Sequence, residues 1–320
     1  MKKIISGIQP SGILHIGNYF GAIKQFINFQ EENDCLFFVA DYHALTSSTD
    51  SDTLRKNTRD VVLDYLALGV DPKKANIFIQ SHIPLHTELM WILSNLTPMS
   101  LLERGHSFKD KSARGISSNT GLFTYPVLMA ADILMYDVDM VPVGKDQKQH
   151  LEMTRDIATK FNEKYTEIFK LPEPMIVEST AVVPGIDGAK MSKSYGNTID
   201  MFAPKKILKK QVMSIVTDST PLEDPKDPDN NITTLYKLFA TPEKLEEMKE
   251  KFRVGNYGYG HAKKELLEAI LEHFAEARAK REELVANPEY VDKILAEGAE
   301  KARAIAKIKM IQVKKAVGLM

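Results

Sequence analysis

The chain has 320 residues, 43% of them hydrophobic and 27% charged, which describes a globular protein with a real core. The formal charge of −1 excludes a global positive field, so a nucleic-acid partner has to be met by local basic patches. Cys35 is the only cysteine, which excludes an internal disulfide or a thiolate metal cluster and points to a reducing cytoplasm.

No uninterrupted apolar stretch is long enough to span a bilayer, and residues 1–5 are too briefly apolar for a signal peptide. Residues 2–8 read as a strand that runs into a tight turn, Gln9-Pro10-Ser11-Gly12, and then a helix over 19–31. Unpaired N–H groups at such a helix start attract anions. His15 adds a donor beside a phosphate, Gly17 lets a base or ribose lie against the backbone, and Asn18 donates from its amide. Without a ligand the same residues make a glycine turn with an ordinary histidine. Strands follow at 35–41, 75–80 and 139–143, with helices at 52–68 and 85–96 between them. Strands alternating with helices predict an α/β doubly wound, Rossmann-like parallel sheet covered on both faces. Ligands of such sheets sit beyond the carboxyl ends of the strands, here the loops after Ile8, Ala40 and Val143.

Residues 124–136 read as a helix that is apolar nearly all round, with Asp132 inside it. A buried carboxylate is costly unless hydrogen-bonded, so Asp132 is either a structural group or an acceptor for a substrate. Met129 lies on the same helical face, as core filling or as a soft wall for a flat ring. After the strand at 139–143 a helix begins near Asp146, which serves as an N-cap or accepts from ribose hydroxyls. Two lysines three apart, Lys190 and Lys193, follow a glycine-bearing loop and form a cationic clamp, or else a solvated loop. From about Met201 the pattern turns helical, with spans at 204–215, 232–239, 242–252 and 261–284, and a Pro- and Asp-rich loop at 220–231. Lys205, Lys206, Lys209 and Lys210 share one short helix, a solvated face or a phosphate-contacting patch. Residues 288–317 carry apolar side chains at helical spacing.

The string Lys190-Met191-Ser192-Lys193-Ser194 is identical to the KMSKS signature of class I aminoacyl-tRNA synthetases. His15-Ile16-Gly17-Asn18 resembles their His-x-Gly-His signature, with Asn18 in the last place. Tyr125-Pro126-Val127-Leu128-Met129-Ala130-Ala131-Asp132, Gly144-Lys145-Asp146-Gln147 and Gly298-Ala299-Glu300-Lys301-Ala302-Arg303 resemble the bacterial-type tryptophanyl-tRNA synthetases, and the resemblance covers essentially the whole chain.

It implies a ligase that joins tryptophan to ATP and passes the activated amino acid to tRNA(Trp), with Mg²⁺ carried on the ATP phosphates and no metal ligand in the protein. By that resemblance Gln9, Pro10, Ser11, His15, Gly17, Asn18, Gly144, Lys145, Asp146, Val183, Lys190, Met191, Ser192, Lys193 and Ser194 form the ATP site. His43, Tyr125, Met129, Asp132, Val141, Val143 and Gln147 form the tryptophan pocket, and Lys190, Lys193 and Lys111 act on the phosphates. An indole N–H is a donor only and a carboxylate an acceptor only, which pairs Asp132 with the ring. The resemblance further implies a catalytic domain over 1–200, a helical anticodon-binding domain over 201–285, a last helix over 286–320 returning to the catalytic domain, and a homodimer, with no membrane or DNA partner. The sequence departs from relatives at Ile5, where some carry an aromatic wall, at Ser107, and at Lys145. A tyrosyl-tRNA synthetase is the alternative enzyme, against which Met129 speaks, since tyrosine enzymes usually carry Gln there. A tRNA-binding paralogue without catalysis is the other alternative.

Overall fold

The computed structural model describes residues 1–46, 50–105, 119–144, 147–176 and 183–320. Five parallel strands form one sheet: β1 (Lys3–Ile8), β2 (Asp34–Val39), β3 (Ala75–Ile79), β4 (Met140–Val143) and β5 (Glu173–Ile176). Their spatial order is β3-β2-β1-β4-β5. The sequence reading anticipated four of them. β5 has four residues and contains Pro174, which cannot donate to a ladder and is tolerated because β5 is an edge strand.

The first helix starts earlier than the periodicity suggested. A turn at Ile16–Asn18 passes into a π-helical segment, Tyr19–Ile23, and returns to α geometry at Lys24–Phe29; together these are α1. His15 has extended backbone angles, and its N–H donates to Asn18 Oδ1 at 3.1 Å. The helix start is thus organised by the same residues that make the phosphate-type turn. There follow α2 (Ser51–Leu68), capped by Asp50, then α3 (Leu85–Ser94), α4 (Thr120–Leu134), capped by Asn119, and α5 (Lys148–Lys164).

The second half is helical: α6 (Lys205–Met213), α7 (Asn231–Tyr236), α8 (Pro242–Val254), α9 (Tyr259–His273), α10 (Ala275–Ala286) and α11 (Pro288–Val317). The span read as one helix over 261–284 is two, broken at Phe274. The change of direction lets the Phe274 ring bury against Tyr19 and Phe239, with centroids 5.0 and 6.0 Å away.

Strand alternation sorts the core. Cys35, Phe37 and Val39 face one side with Ile4 and Ile77; Leu36 and Phe38 face the other with Ile5, Phe78, Val141 and Val143. The apolar residues of α1, α2 and α6–α10 join the first cluster, and those of α3, α4, α5 and most of α11 join the second. Both faces are covered, as an all-parallel sheet requires. Arg281 of α10 ties the helical half to α2, donating from Nε to Asp64 at 2.6 Å and from Nη2 to Asp60 at 2.8 Å. Among the described residues, no helix is long and apolar enough to cross a membrane.

α11 lies so close to β3 that a Cβ on Gly298 would sit 1.8 Å from the Ile77 carbonyl oxygen, while Asn76 Nδ2 donates to the Gly298 carbonyl at 3.1 Å. Backbone meets backbone here, so nothing flexible can give way. Gly298→Ala is expected to destabilise the fold by about 3 kcal/mol. Urea unfolding checks it; a midpoint equal to wild type overturns this account of the seat.

Candidate active site

The strand order reverses between β1 and β4, and crevices at such a switch point are where open α/β sheets take ligands. A cavity of about 390 Å³ lies there. Ile5 and Gly7 of β1, Phe38 of β2 and Val141 and Val143 of β4 make one wall. Tyr125, Met129 and Asp132 of α4 make another; their spacing of four and three residues puts all three on one helical face. His43, on the short helical turn after β2, and Gln147, at the start of α5, complete it. The seven residues nominated for an amino-acid pocket therefore stand around one space.

Phe38 was not anticipated. β1 and β2 pair with Gly7 opposite Phe38, and a Cβ at residue 7 would meet the Phe38 ring at 2.7 Å. The missing side chain lets that ring lie across β1. The aromatic wall that Ile5 does not provide thus comes from the neighbouring strand. Strand alternation puts residue 38 on the same face as residue 5, but only the register shows that Phe38 faces a glycine.

Asp132 is fully buried and surrounded by donors. Gln80 Nε2 donates to both of its oxygens at 2.7 and 2.9 Å, His86 Nδ1 lies 2.6 Å from Oδ1, and His43 Nε2 lies 2.7 Å from Oδ2. Burial alone would raise this carboxyl, but the hydrogen bonds from His43 and His86, together with their charge, hold it below the usual carboxylate range. Gln80 and His86 were not anticipated, since nothing in sequence spacing links the end of β3 or the start of α3 to α4. Behind them, Tyr42 N–H donates to Gln80 Oε1 at 3.1 Å and the Tyr136 hydroxyl lies 2.7 Å from His86 Nε2. Tyr125 is held in turn by its hydroxyl against His150 Nε2.

The turn after β1 adjoins the same cavity. Gln9 and Gly144 border it, and Gln9 Nε2 donates to the His43 carbonyl at 3.0 Å. Ser11 N–H closes the turn on the Gln9 carbonyl at 2.8 Å, Pro10 is buried beneath it, and Gly12 takes a φ of 135°. Burial, and then the nearby Lys193 ammonium, push His15 down to about 4, which leaves its ring a neutral imidazole at neutral pH.

The lysine loop docks on this turn. Lys193 Nζ donates to the Gly12 carbonyl at 2.7 Å, and a Cβ on Gly17 would be 3.4 Å from Met191 Cβ. Met191 N–H bonds the Val183 carbonyl at 2.9 Å, Ser192 and Ser194 hydroxyls pair at 2.9 Å, and Lys190 is exposed. Asn197, another residue not anticipated, braces the loop. Its Nδ2 donates to Asp187 at 2.8 Å and to the Lys190 carbonyl at 3.1 Å, and its Oδ1 accepts from Ser192 N–H at 2.8 Å. The nominated Lys111, Lys145 and Asp146, and the departure at Ser107, lie outside the described residues.

The arrangement places the turn after β1, with Lys193 docked on it, beside a largely apolar pocket in which Asp132 is the one acidic side chain among the described residues. Comparison with known proteins gives it a context. The model of the family described as class I tRNA synthetases (W and Y) matches residues 1–275. The tryptophan–tRNA ligase of Fusobacterium nucleatum is 66% identical over 321 residues, covering 100% of this chain and 99% of that protein. The crystal structure of tryptophanyl-tRNA synthetase from Campylobacter jejuni complexed with ADP and tryptophan superposes with a TM-score of 0.94 at 53% identity, covering 99% of both chains. The corresponding protein of Mycoplasma pneumoniae gives 0.82 at 32% identity, covering 100% of this chain and 98% of that one.

Proposed function

The chain belongs to the class I tRNA synthetases of the tryptophan and tyrosine group, and we propose from that premise how its residues divide the work. Its activity is that of a tryptophan–tRNA ligase. The tryptophan carboxylate attacks the α-phosphorus of ATP, pyrophosphate leaves, and a terminal ribose hydroxyl of tRNA(Trp) then takes the acyl group from the adenylate. One observation supports tryptophan above tyrosine: Met129, an apolar thioether, stands on the cavity wall one helical turn from Asp132, so among the described residues this wall offers an acceptor for an indole N–H and a soft apolar surface for its ring.

In this reading Met129, Val141, Val143, Phe38 and Tyr125 enclose the indole, and Gln147 takes the polar end. Gly17 and Gly144 leave room for the nucleotide, Asp146 accepts from its ribose, and Lys145 is peripheral. Lys111, Lys190 and Lys193 meet the phosphates. His15, Asn18, Lys193 and backbone N–H groups form a donor set for anions rather than for a bare metal, so Mg²⁺ is carried on the phosphates. Residues 201–285 form the anticodon-binding part. The four lysines of α6 are exposed while Leu208 is buried, which suits a phosphate-contacting face. The single buried cysteine fits a reducing cytoplasm.

The partner of this chain is a second copy. Trp91, Met99 and Leu45 are 72%, 63% and 60% exposed, and a cleft lined by Leu45, Thr87, Met90 and Leu128 adjoins Trp91, one helical turn from Thr87. Trp91→Glu is expected to shift the sedimenting species from dimer to monomer at micromolar concentration; an unchanged dimer overturns this face as the contact. The function itself is tested by amino-acid-dependent pyrophosphate exchange with each standard amino acid. Exchange with tryptophan and charging of tRNA(Trp) are expected. Exchange with tyrosine instead would overturn the reading.

A further inference from the structure

We infer that His43 is an exchangeable partner of Asp132: tryptophan enters by replacing the imidazole N–H on Oδ2 with its own indole N–H, while Gln80 and His86 stay in place. This rests on the tryptophan reading above and deepens it.

A carboxylate offers about four acceptor positions. Oδ1 is taken by Gln80 and His86, and Oδ2 by Gln80 and His43. A further donor therefore has to displace one already present. Gln80 and His86 are fully buried and do not border the cavity. Both are also locked from behind, Gln80 by Tyr42 N–H and His86 by the Tyr136 hydroxyl. His43 differs in each respect. It borders the cavity, its side chain is 15% exposed, and it sits on a turn of four residues rather than in the sheet or a long helix. Its backbone is nevertheless fixed, because Gln9 Nε2 and Thr46 Oγ1 both donate to its carbonyl at 3.0 and 2.8 Å. The ring is thus the one element of this network free to leave without unfolding anything.

The test uses the full-length protein and two ligands: tryptophan, and its benzothienyl analogue, in which sulfur replaces the indole N–H and no exchange is needed. Calorimetric affinities for both ligands are measured in wild type and in His43→Ala. In His43→Ala the preference for tryptophan over the analogue is expected to be about tenfold larger than in wild type, since Oδ2 stands open. A merely structural histidine would move both affinities together and leave their ratio unchanged, and that outcome, or a smaller preference in His43→Ala, overturns the exchange. If wild type binds neither ligand, the tryptophan reading itself fails, which is a different result.

Discussion

Lys193→Ala is expected to slow single-turnover adenylate formation about a hundredfold at saturating ATP, while ATP binding weakens far less. The side chain waits on the Gly12 carbonyl, at the turn where the phosphates of ATP are proposed to lie. Negative charge grows on the departing pyrophosphate only as the α-phosphorus is attacked. An ammonium already beside that place and partly stripped of water stabilises the transition state more than the ground state. A loss of about 3 kcal/mol corresponds to roughly a hundredfold in rate.

The pH profile carries an independent mark of the same group. Burial pushes Lys193 down to about 8, against the opposing pull of Asp64. The ammonium is present below that value and lost above it. Wild-type kcat/KM for ATP, which reports the free enzyme, is expected to fall above about pH 8. Lys193→Arg keeps its charge and should lose that alkaline limb while retaining part of the rate. Lys190, exposed, should matter less. Equal losses in ATP affinity and in rate would make Lys193 a ground-state anchor instead.

Asp132→Asn is expected to lower kcat/KM for tryptophan by ten- to a hundredfold with ATP affinity unchanged. An amide presents one oxygen and one NH₂ group where the carboxylate presented two acceptors. At least one of Gln80, His86 and His43 then faces a donor with a donor. Loss of a charged hydrogen-bond partner costs about 1.5–3 kcal/mol, part of it in substrate recognition and part in folding. The wild-type carboxyl is held below its usual range, so its contribution to stability is complete at neutral pH and is lost only as pH falls through that depressed value. Asp132→Asn should therefore unfold more easily at pH 7, with the difference from wild type closing in strong acid. Unchanged kcat/KM for tryptophan would remove Asp132 from substrate recognition.

The fold class was legible because its signals are local and periodic. Apolar runs alternate with amphipathic helices through the first half, and Gly, Pro and capping residues mark where they stop. The turn at residues 9–18 and the string at 190–194 were legible as short contiguous motifs, and the structure brings them into contact across 181 positions through Lys193 and Gly12. What escaped notice depends on three-dimensional adjacency. Gln80 and His86 look like a strand end and a helix start, and only the packing of α3 on α4 brings them to Asp132. Phe38 joins the cavity because strand register sets it opposite Gly7. The break at Phe274 answers to an aromatic cluster drawn from α1, α9 and the loop after α7, and no helix-breaking residue announces it.

The seat of α11 on β3 also sets a timetable. Asn76 leaves the ribosome 222 residues before the glycine whose carbonyl it binds. At roughly 5–20 residues per second that is about 10–45 s of synthesis. Throughout that interval the Phe78 side of the sheet lacks the Ala299, Ala302 and Ala306 ridge that will cover it. A nascent chain of this protein therefore presents the apolar strip under that ridge until α11 is made. A ribosome stalled within residues 288–317 leaves behind a sheet with part of that face uncovered at β3, a ready substrate for a chaperone or a protease.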